Sequence, residues 1–196
     1  MHRFLPLALD AAVAALTLAL IFWCLGRRNP WSRPRTLCYY AMAVYLSIVF
    51  SLVGLPDIRY IRFQPHINLT PFKYFFTDRS SLPNVLLFIP LGIFLTTLWR
   101  RFRNGWHTVA FGFCVSLGIE LLQIFTYRAT DINDLMTNTL GTLLGWALGR
   151  LGLALAPEIS PSDRLQDVFI LCAVTFSFMV VLHPLLADPV FRFVFS

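Results

Sequence analysis

The densest polar segment of this sequence lies at residues 116–138, within otherwise apolar surroundings. Ser116, Glu120, Gln123 and Tyr127 are spaced by four, three and four residues, so on a helix they share one stripe. A carboxylate such as that of Glu120 is costly in hydrocarbon and must face the bundle interior, a partner or water. The stripe therefore indicates either a functional cavity or a buried acid that locks neighbouring helices together.

The polar residues that follow the turn have a similar spacing. Asp131, Asp134 and Asn138 recur at three and four residues, which again places them on one helical face. Asp131 suits an N-cap, and Asp134 falls three residues later, close to a capping-box arrangement. Capping explains neither Asn138 nor Arg128. We predict that six polar residues converge around one helical hairpin: Glu120, Gln123, Arg128, Asp131, Asp134 and Asn138.

These residue types allow two kinds of chemistry. The candidate catalytic groups are the carboxylates of Glu120, Asp131 and Asp134, which can act as acid, base or oxygen ligands of a divalent cation. Arg128 can instead hold a phosphate or a carboxylate. The sequence contains no P-loop, GxSxG, HExxH or dinucleotide motif. The residue types do not choose between a divalent cation and an anion, and we predict no resident metal and no cofactor.

A second polar patch precedes this segment in the chain. It contains His66 and Asn68, followed by Asn84 at the start of an apolar stretch. Pro90 lies in the middle of that stretch and is expected to bend the helix. Because no second ligand motif accompanies His66, we interpret it as an interfacial side chain rather than a base or a metal ligand.

Long apolar stretches must position these polar residues. Hydrophobic residues make up 57% of the 196 residues and charged residues only 13%, against about 45–50% and about 25% in soluble proteins. This excludes a disordered chain, a collagen-like repeat, a secreted disulfide scaffold and an ordinary cytosolic enzyme. A spanning helix needs about 20 mostly apolar residues. Six stretches qualify or nearly qualify: Phe4–Leu25, Leu37–Leu55, Asn84–Trp99, Trp106–Tyr127, Leu135–Ala156 and Asp167–Leu186.

We therefore predict an all-α fold, a polytopic transmembrane helical bundle of five to six spans, as a single integral-membrane domain over residues 1–196. Gly141, Gly145 and Gly149 form a GxxxGxxxG seam in the fifth stretch. Small residues at this spacing let helix backbones approach closely in a membrane. We assign this seam to helix packing and to no catalytic role.

The net charge of +6 is concentrated in basic clusters beside the apolar stretches. The positive-inside rule and anionic headgroups explain such clusters without a nucleic-acid partner. The acid-free connections after the first and third stretches are predicted to be cytoplasmic. The connections at 56–83 and 128–134, which flank the polar residues above, are then predicted to face outward.

Taken together, these motifs resemble the VanZ-like family of small bacterial membrane proteins. The resemblance covers residues 68–149, the predicted VanZ-like core, and its motifs are Asn68-Leu-Thr-Pro71-Phe72, Asn84 to Gly92, Glu120-Leu-Leu-Gln123, Arg128, Asp131, Asp134, Asn138, Gly141 and Gly145. It implies a multi-pass protein of the bacterial inner (cytoplasmic) membrane, associated in the name-giving member with low-level teicoplanin resistance. The candidate binding residues are Asn68, Asn84, Gln123, Arg128 and Asn138.

Three functional hypotheses remain open at this point. The first is a non-enzymatic membrane factor whose outward polar pocket binds a headgroup, a glycopeptide or a lipid-linked cell-envelope precursor. The second is an integral-membrane enzyme that modifies a lipid-linked substrate with buried carboxylates. The third is a structural membrane subunit whose polar stripe packs the bundle. The predicted partners are the lipid bilayer and such an envelope molecule, with no nucleic acid, and the sequence does not define the oligomeric state.

Overall fold

A computed structural model describes most of the chain, with side chains from residue 13 onward. The described residues are 4–29, 31–54, 56, 61, 63, 66–71, 81–126, 129–155 and 161–186. The helices are α1 (Phe4–Arg28), α2 (Arg33–Val53), α3 (Ser81–Leu98), α4 (Gly105–Gln123), α5 (Ile132–Leu155) and α6 (Leu165–Ser177). Two very short strands are β1 (Ile67–Asn68) and β2 (Thr130–Asp131). The all-α class predicted from the sequence is confirmed.

The chain forms two compact units, Met1–Tyr60 with Asp167–Ser196 and Ile61–Gln166. The first unit contains α1, α2 and α6 from Asp167 onward. The second unit contains α3, α4, α5 and both strands. The predicted core, residues 68–149, therefore lies entirely within the second unit.

Four helical stretches in the described part of the chain are long and apolar enough to cross a membrane: α2, α3, α4 and Leu165–Leu186. This supports the prediction of a polytopic membrane protein. The stretch predicted at Leu135–Ala156 is also helical, as α5, but is not among these four. Its buried face consists of glycine, threonine and asparagine residues because it packs against both α3 and α4. Side chains that face protein rather than lipid do not need high hydropathy.

The helices α3 and α5 run parallel and in very close contact. Gly141 lies against the Val85 carbonyl and Gly145 against the Ile89 carbonyl, and the third glycine of the seam, Gly149, lies against the next turn of α3. Each step of four residues on α5 thus matches a step of four on α3. The predicted packing role of the glycine seam is confirmed.

The helix α4 runs antiparallel to α5. Gly112 lies against Thr142, whereas Ser116, one turn further along α4, contacts Asn138, one turn earlier on α5. The C-terminus of α4 therefore lies at the same end of this helix bundle as the N-termini of α3 and α5. This shared end carries the predicted polar residues.

The sixth apolar stretch is helical over Leu165–Leu186, as predicted for Asp167–Leu186. It contains a π-helical segment, Phe178–Leu182, in which the backbone N–H of His183 bonds to the Phe178 carbonyl. Pro184 follows directly, and its ring and missing N–H disfavour ordinary α-helical bonding one turn earlier. The wider π turn accommodates this proline without ending the helix.

Candidate binding site at the turn between α4 and α5

The predicted polar stripe lies on the buried face of α4. Ser116, Glu120 and Gln123 are all buried, whereas Tyr127 lies outside the described residues. The helix ends at Gln123, four residues before the end of the predicted span, and the Thr126 hydroxyl donates to the Gln123 carbonyl at 3.0 Å. Glu120 therefore lies in the last turn of α4 rather than two turns inside it.

Glu120 links the last turn of α4 to the start of α5 through hydrogen bonds. Its side chain is only 4% exposed, and its Oε2 accepts a hydrogen bond from the backbone N–H of Asp131 at 2.8 Å. The Glu120 backbone carbonyl accepts from the Thr130 hydroxyl at 2.9 Å. A carboxylate is favoured at this position because its charge complements the positive N-terminal end of a helix.

Asp131 is the N-cap of α5, as the sequence predicts. Its Oδ1 accepts from the backbone N–H and from Nδ2 of Asn133, each at 2.8 Å, and its Oδ2 accepts from Nδ2 of Asn68 at 2.9 Å. In a capping box the residue three positions later, here Asp134, would accept from the N-cap backbone N–H. In this structure Glu120, from the preceding helix, accepts from that N–H.

A short parallel strand pair joins the two polar patches that the sequence analysis treated separately. β1 pairs with β2 so that Asn68 is opposite Asp131, and the Thr130 N–H donates to the His66 carbonyl at 2.8 Å. The helical prediction did not include this pair. It places a segment that precedes α3 directly against the turn between α4 and α5.

Asn133 is a site residue that the sequence analysis missed. It is buried, and its Nδ2 donates both to Asp131 and, at 3.2 Å, to the Thr70 carbonyl. In the sequence, Asn133 is a polar residue two positions after a good N-cap. Such a residue is also typical of an exposed first turn, so this position alone does not indicate a buried site residue. Its burial depends on Thr70, which is 63 residues distant in the chain.

A second polar pair lies deeper between the helices. Asn138 is 3% exposed, and its Nδ2 donates to the Ser116 hydroxyl at 2.9 Å. Its Oδ1 is buried and has no hydrogen-bond partner in the described part of the chain. Since an unsatisfied buried acceptor is unfavourable, this oxygen can receive a hydrogen bond from a water molecule or a ligand.

Of the remaining predicted site residues, Asp134 and Asn84 lie at the same end of the second unit. Asp134 and Asn84 are half-buried in the first turns of α5 and α3. The Asn84 side chain forms no hydrogen bond with any other described residue. Arg128 lies outside the described residues, so the proposed convergence is described only for the other members.

In the observed geometry the acidic groups serve as helix caps and hydrogen-bond acceptors. Both carboxylate oxygens of Asp131 accept from amide or backbone N–H groups. Within the described residues, no group of three or more His, Cys, Asp or Glu side chains is arranged to hold a metal ion. We refer below to Asn68, Glu120, Thr130, Asp131 and Asn133 as the turn cluster.

The apolar helices, with buried polar residues at one end of the α3–α5 bundle, define a polytopic helical membrane protein. The profile of the VanZ/LLP1 family matches residues 36–153, more than half of the chain. The chain belongs to this family. The match begins in the first turn of α2 and therefore extends beyond residues 68–149, where the sequence motifs were recognised.

One similar protein is Protein VanZ of Enterococcus faecium, which is 40% identical over 86 residues. The aligned region is 43% of this chain and 53% of that protein, so the chain spans about half the length of this relative. No solved structure matches the chain.

Proposed function

We propose that this protein is a non-enzymatic factor of the bacterial cytoplasmic membrane whose polar end binds a lipid-linked cell-envelope molecule. The proposal rests on one observation: the acidic groups of the turn cluster accept hydrogen bonds from neighbouring residues of the protein. Asp131 accepts three hydrogen bonds from Asn68 and Asn133, and Glu120 accepts one from the backbone of Asp131. In these contacts the two carboxylates cap and join helix ends, a use that requires neither proton transfer nor a cation.

The amide side chain of Asn84 is better placed to contact a ligand. It is half-buried in the first turn of α3 and makes no side-chain hydrogen bond within the described part of the chain. A side-chain amide both donates and accepts, which suits the phosphate, hydroxyl and peptide groups of a lipid-linked wall precursor. The turn cluster would fix the position of the helix ends around such a headgroup.

The family resemblance implies an effect on teicoplanin susceptibility. We propose that binding of the wall precursor at the outer membrane surface changes its accessibility to this glycopeptide. An outward-facing polar end, as the positive-inside rule predicts, would place the site in the leaflet where the two molecules meet.

The test compares a deletion strain with strains that carry the wild type, Asn84→Ala, Asp134→Asn or Asp163→Asn at matched membrane levels. Asp163 provides the control because it is an exposed partner of Arg100, at 3.1 Å, at the opposite end of α3. Teicoplanin susceptibility and mass-spectrometric profiles of lipids and lipid-linked precursors are measured for each strain. We expect Asp163→Asn to act as the wild type, the two site variants to lose the effect, and all lipid profiles to be the same.

The other two hypotheses predict different results. A lipid species gained or lost only with the wild-type protein would refute the non-enzymatic proposal and identify the substrate class of an enzyme. If both site variants fold, reach the membrane and retain the full effect on susceptibility, the site does not bind the envelope molecule. A structural subunit is then the better explanation.

A further inference from the structure

The first unit contains a cavity of about 640 Å³ where the end of α1 meets the start of α2. Trp23 and Arg27 line it from α1, Arg33 and Tyr40 line it from α2, and Trp31 lines it from the connection between them. This cavity is separate from the turn cluster, which lies in the second unit. Neither the motifs nor the proposed function assigns it a role.

The lining of the cavity is cationic. Arg27 and Arg33 form no ion pair with any described residue, and residues 26–35 include no acid. The Arg27 guanidinium carbon lies 4.3 Å from the centre of the Trp23 ring, so a cation–π contact orients it. The N-terminal end of α2 adds partial positive charge at the same place. This cavity therefore suits an anion.

Aromatic side chains also line the cavity. Trp31 packs edge-on against Tyr39 with ring centres 4.9 Å apart, and Tyr40 is held by a 3.0 Å hydrogen bond from its hydroxyl to the Ala15 carbonyl. Trp31 is only 7% exposed, and its buried indole N–H has no acceptor among the described residues. The contacts with Tyr39 and with the Ala15 carbonyl fix the positions of the aromatic rings in the wall.

Apolar side chains beside the arginines indicate that the anion carries hydrocarbon chains. Leu20 and Trp23 on α1 and Leu37 on α2 are all more than half exposed, and Leu37 itself lines the cavity. Tryptophan next to arginine is typical of the headgroup level of a membrane. We propose that the cavity binds the headgroup of an anionic phospholipid, with its phosphate at Arg27 and Arg33 and its acyl chains along this apolar surface.

The test uses the purified full-length protein in a non-ionic detergent. Binding of phosphatidylglycerol and of phosphatidylcholine with identical acyl chains is measured by native mass spectrometry, with inorganic phosphate as a competitor. The cavity variant is Arg27→Gln/Arg33→Gln. The control is Arg28→Gln/Arg101→Gln, which removes the same charge from exposed arginines that do not line the cavity.

We expect the wild type to prefer phosphatidylglycerol, and inorganic phosphate to compete poorly. The cavity variant should bind phosphatidylglycerol about 25-fold more weakly, since each of the two basic residues near an anionic surface contributes about fivefold. The control should stay close to the wild type. Equal affinity of the wild type for both lipids would overturn the proposal. An equal loss of phosphatidylglycerol affinity in the cavity variant and the control variant would also overturn it. Strong competition by inorganic phosphate would overturn the assignment to a lipid.

A second variant keeps the proposal testable if the double arginine variant does not purify as a folded protein. The single variant Arg27→Gln keeps Arg33 and removes one charge from the cavity. We expect about a fivefold loss of phosphatidylglycerol binding, with an unchanged midpoint of thermal unfolding when no lipid is added. Unchanged affinity in this variant would also contradict the proposed site.

Discussion

Gly145 provides the most direct test of how α3 and α5 are held together. A Cβ atom at this position would lie 2.9 Å from the Cα of Gly92 and would overlap the carbonyl oxygen of Ile89. Carbon atoms normally meet at about 3.5–4.0 Å, so Gly145→Ala must separate the helices by roughly 1 Å. Overpacking costs about 1–3 kcal/mol, and we expect the upper end because the obstacle is backbone. A gain of about 1 kcal/mol in helix propensity offsets part of this cost.

The expected net loss is therefore about 2 kcal/mol in the free energy of unfolding. Unfolding in detergent micelles is followed by tryptophan fluorescence during titration with sodium dodecyl sulfate. Gly118→Ala and Gly152→Ala are matched controls, because a Cβ at either position meets nothing within 4 Å. The free energy of unfolding of these variants should equal that of the wild type or exceed it by up to about 1 kcal/mol. The reasoning is refuted if Gly145→Ala unfolds at the same detergent ratio as its controls.

Three further predictions concern the polar end of the second unit. Asp131→Asn should lower the free energy of unfolding by about 1–3 kcal/mol, because its new amide would face donors of Asn68 and Asn133; chemical unfolding indistinguishable from the wild type would contradict this. Ser116→Ala and Asn138→Ala, combined in a double-mutant cycle of unfolding, should show a coupling of about 0.6 kcal/mol, and strictly additive effects would argue against their hydrogen bond. Dialysis against EDTA should leave binding of a lipid-linked precursor by the purified protein unchanged, whereas loss of binding that a divalent cation restores would show a metal site.

The sequence determined the elements and the faces that they bury. Hydropathy specified the helical stretches, because backbone groups in hydrocarbon must be bonded within the segment. Helical periodicity placed Ser116, Glu120 and Gln123 on one buried face, and the glycine spacing specified a close helix contact. Asp131 was predicted as an N-cap because N-capping depends on only a few neighbouring residues. All of these are properties of the local sequence.

The assembly of the site depends on contacts between segments that are distant in the sequence. The bond between Asn68 and Asp131 joins residues 63 positions apart through a strand pair of two residues, which is too short to leave a periodic pattern. Glu120 accepts from the Asp131 backbone because the turn brings the two helix ends together. Asn133 is buried because a distant loop covers it. Hydrogen bonds between segments depend on positions in space, which local propensity and periodicity do not encode.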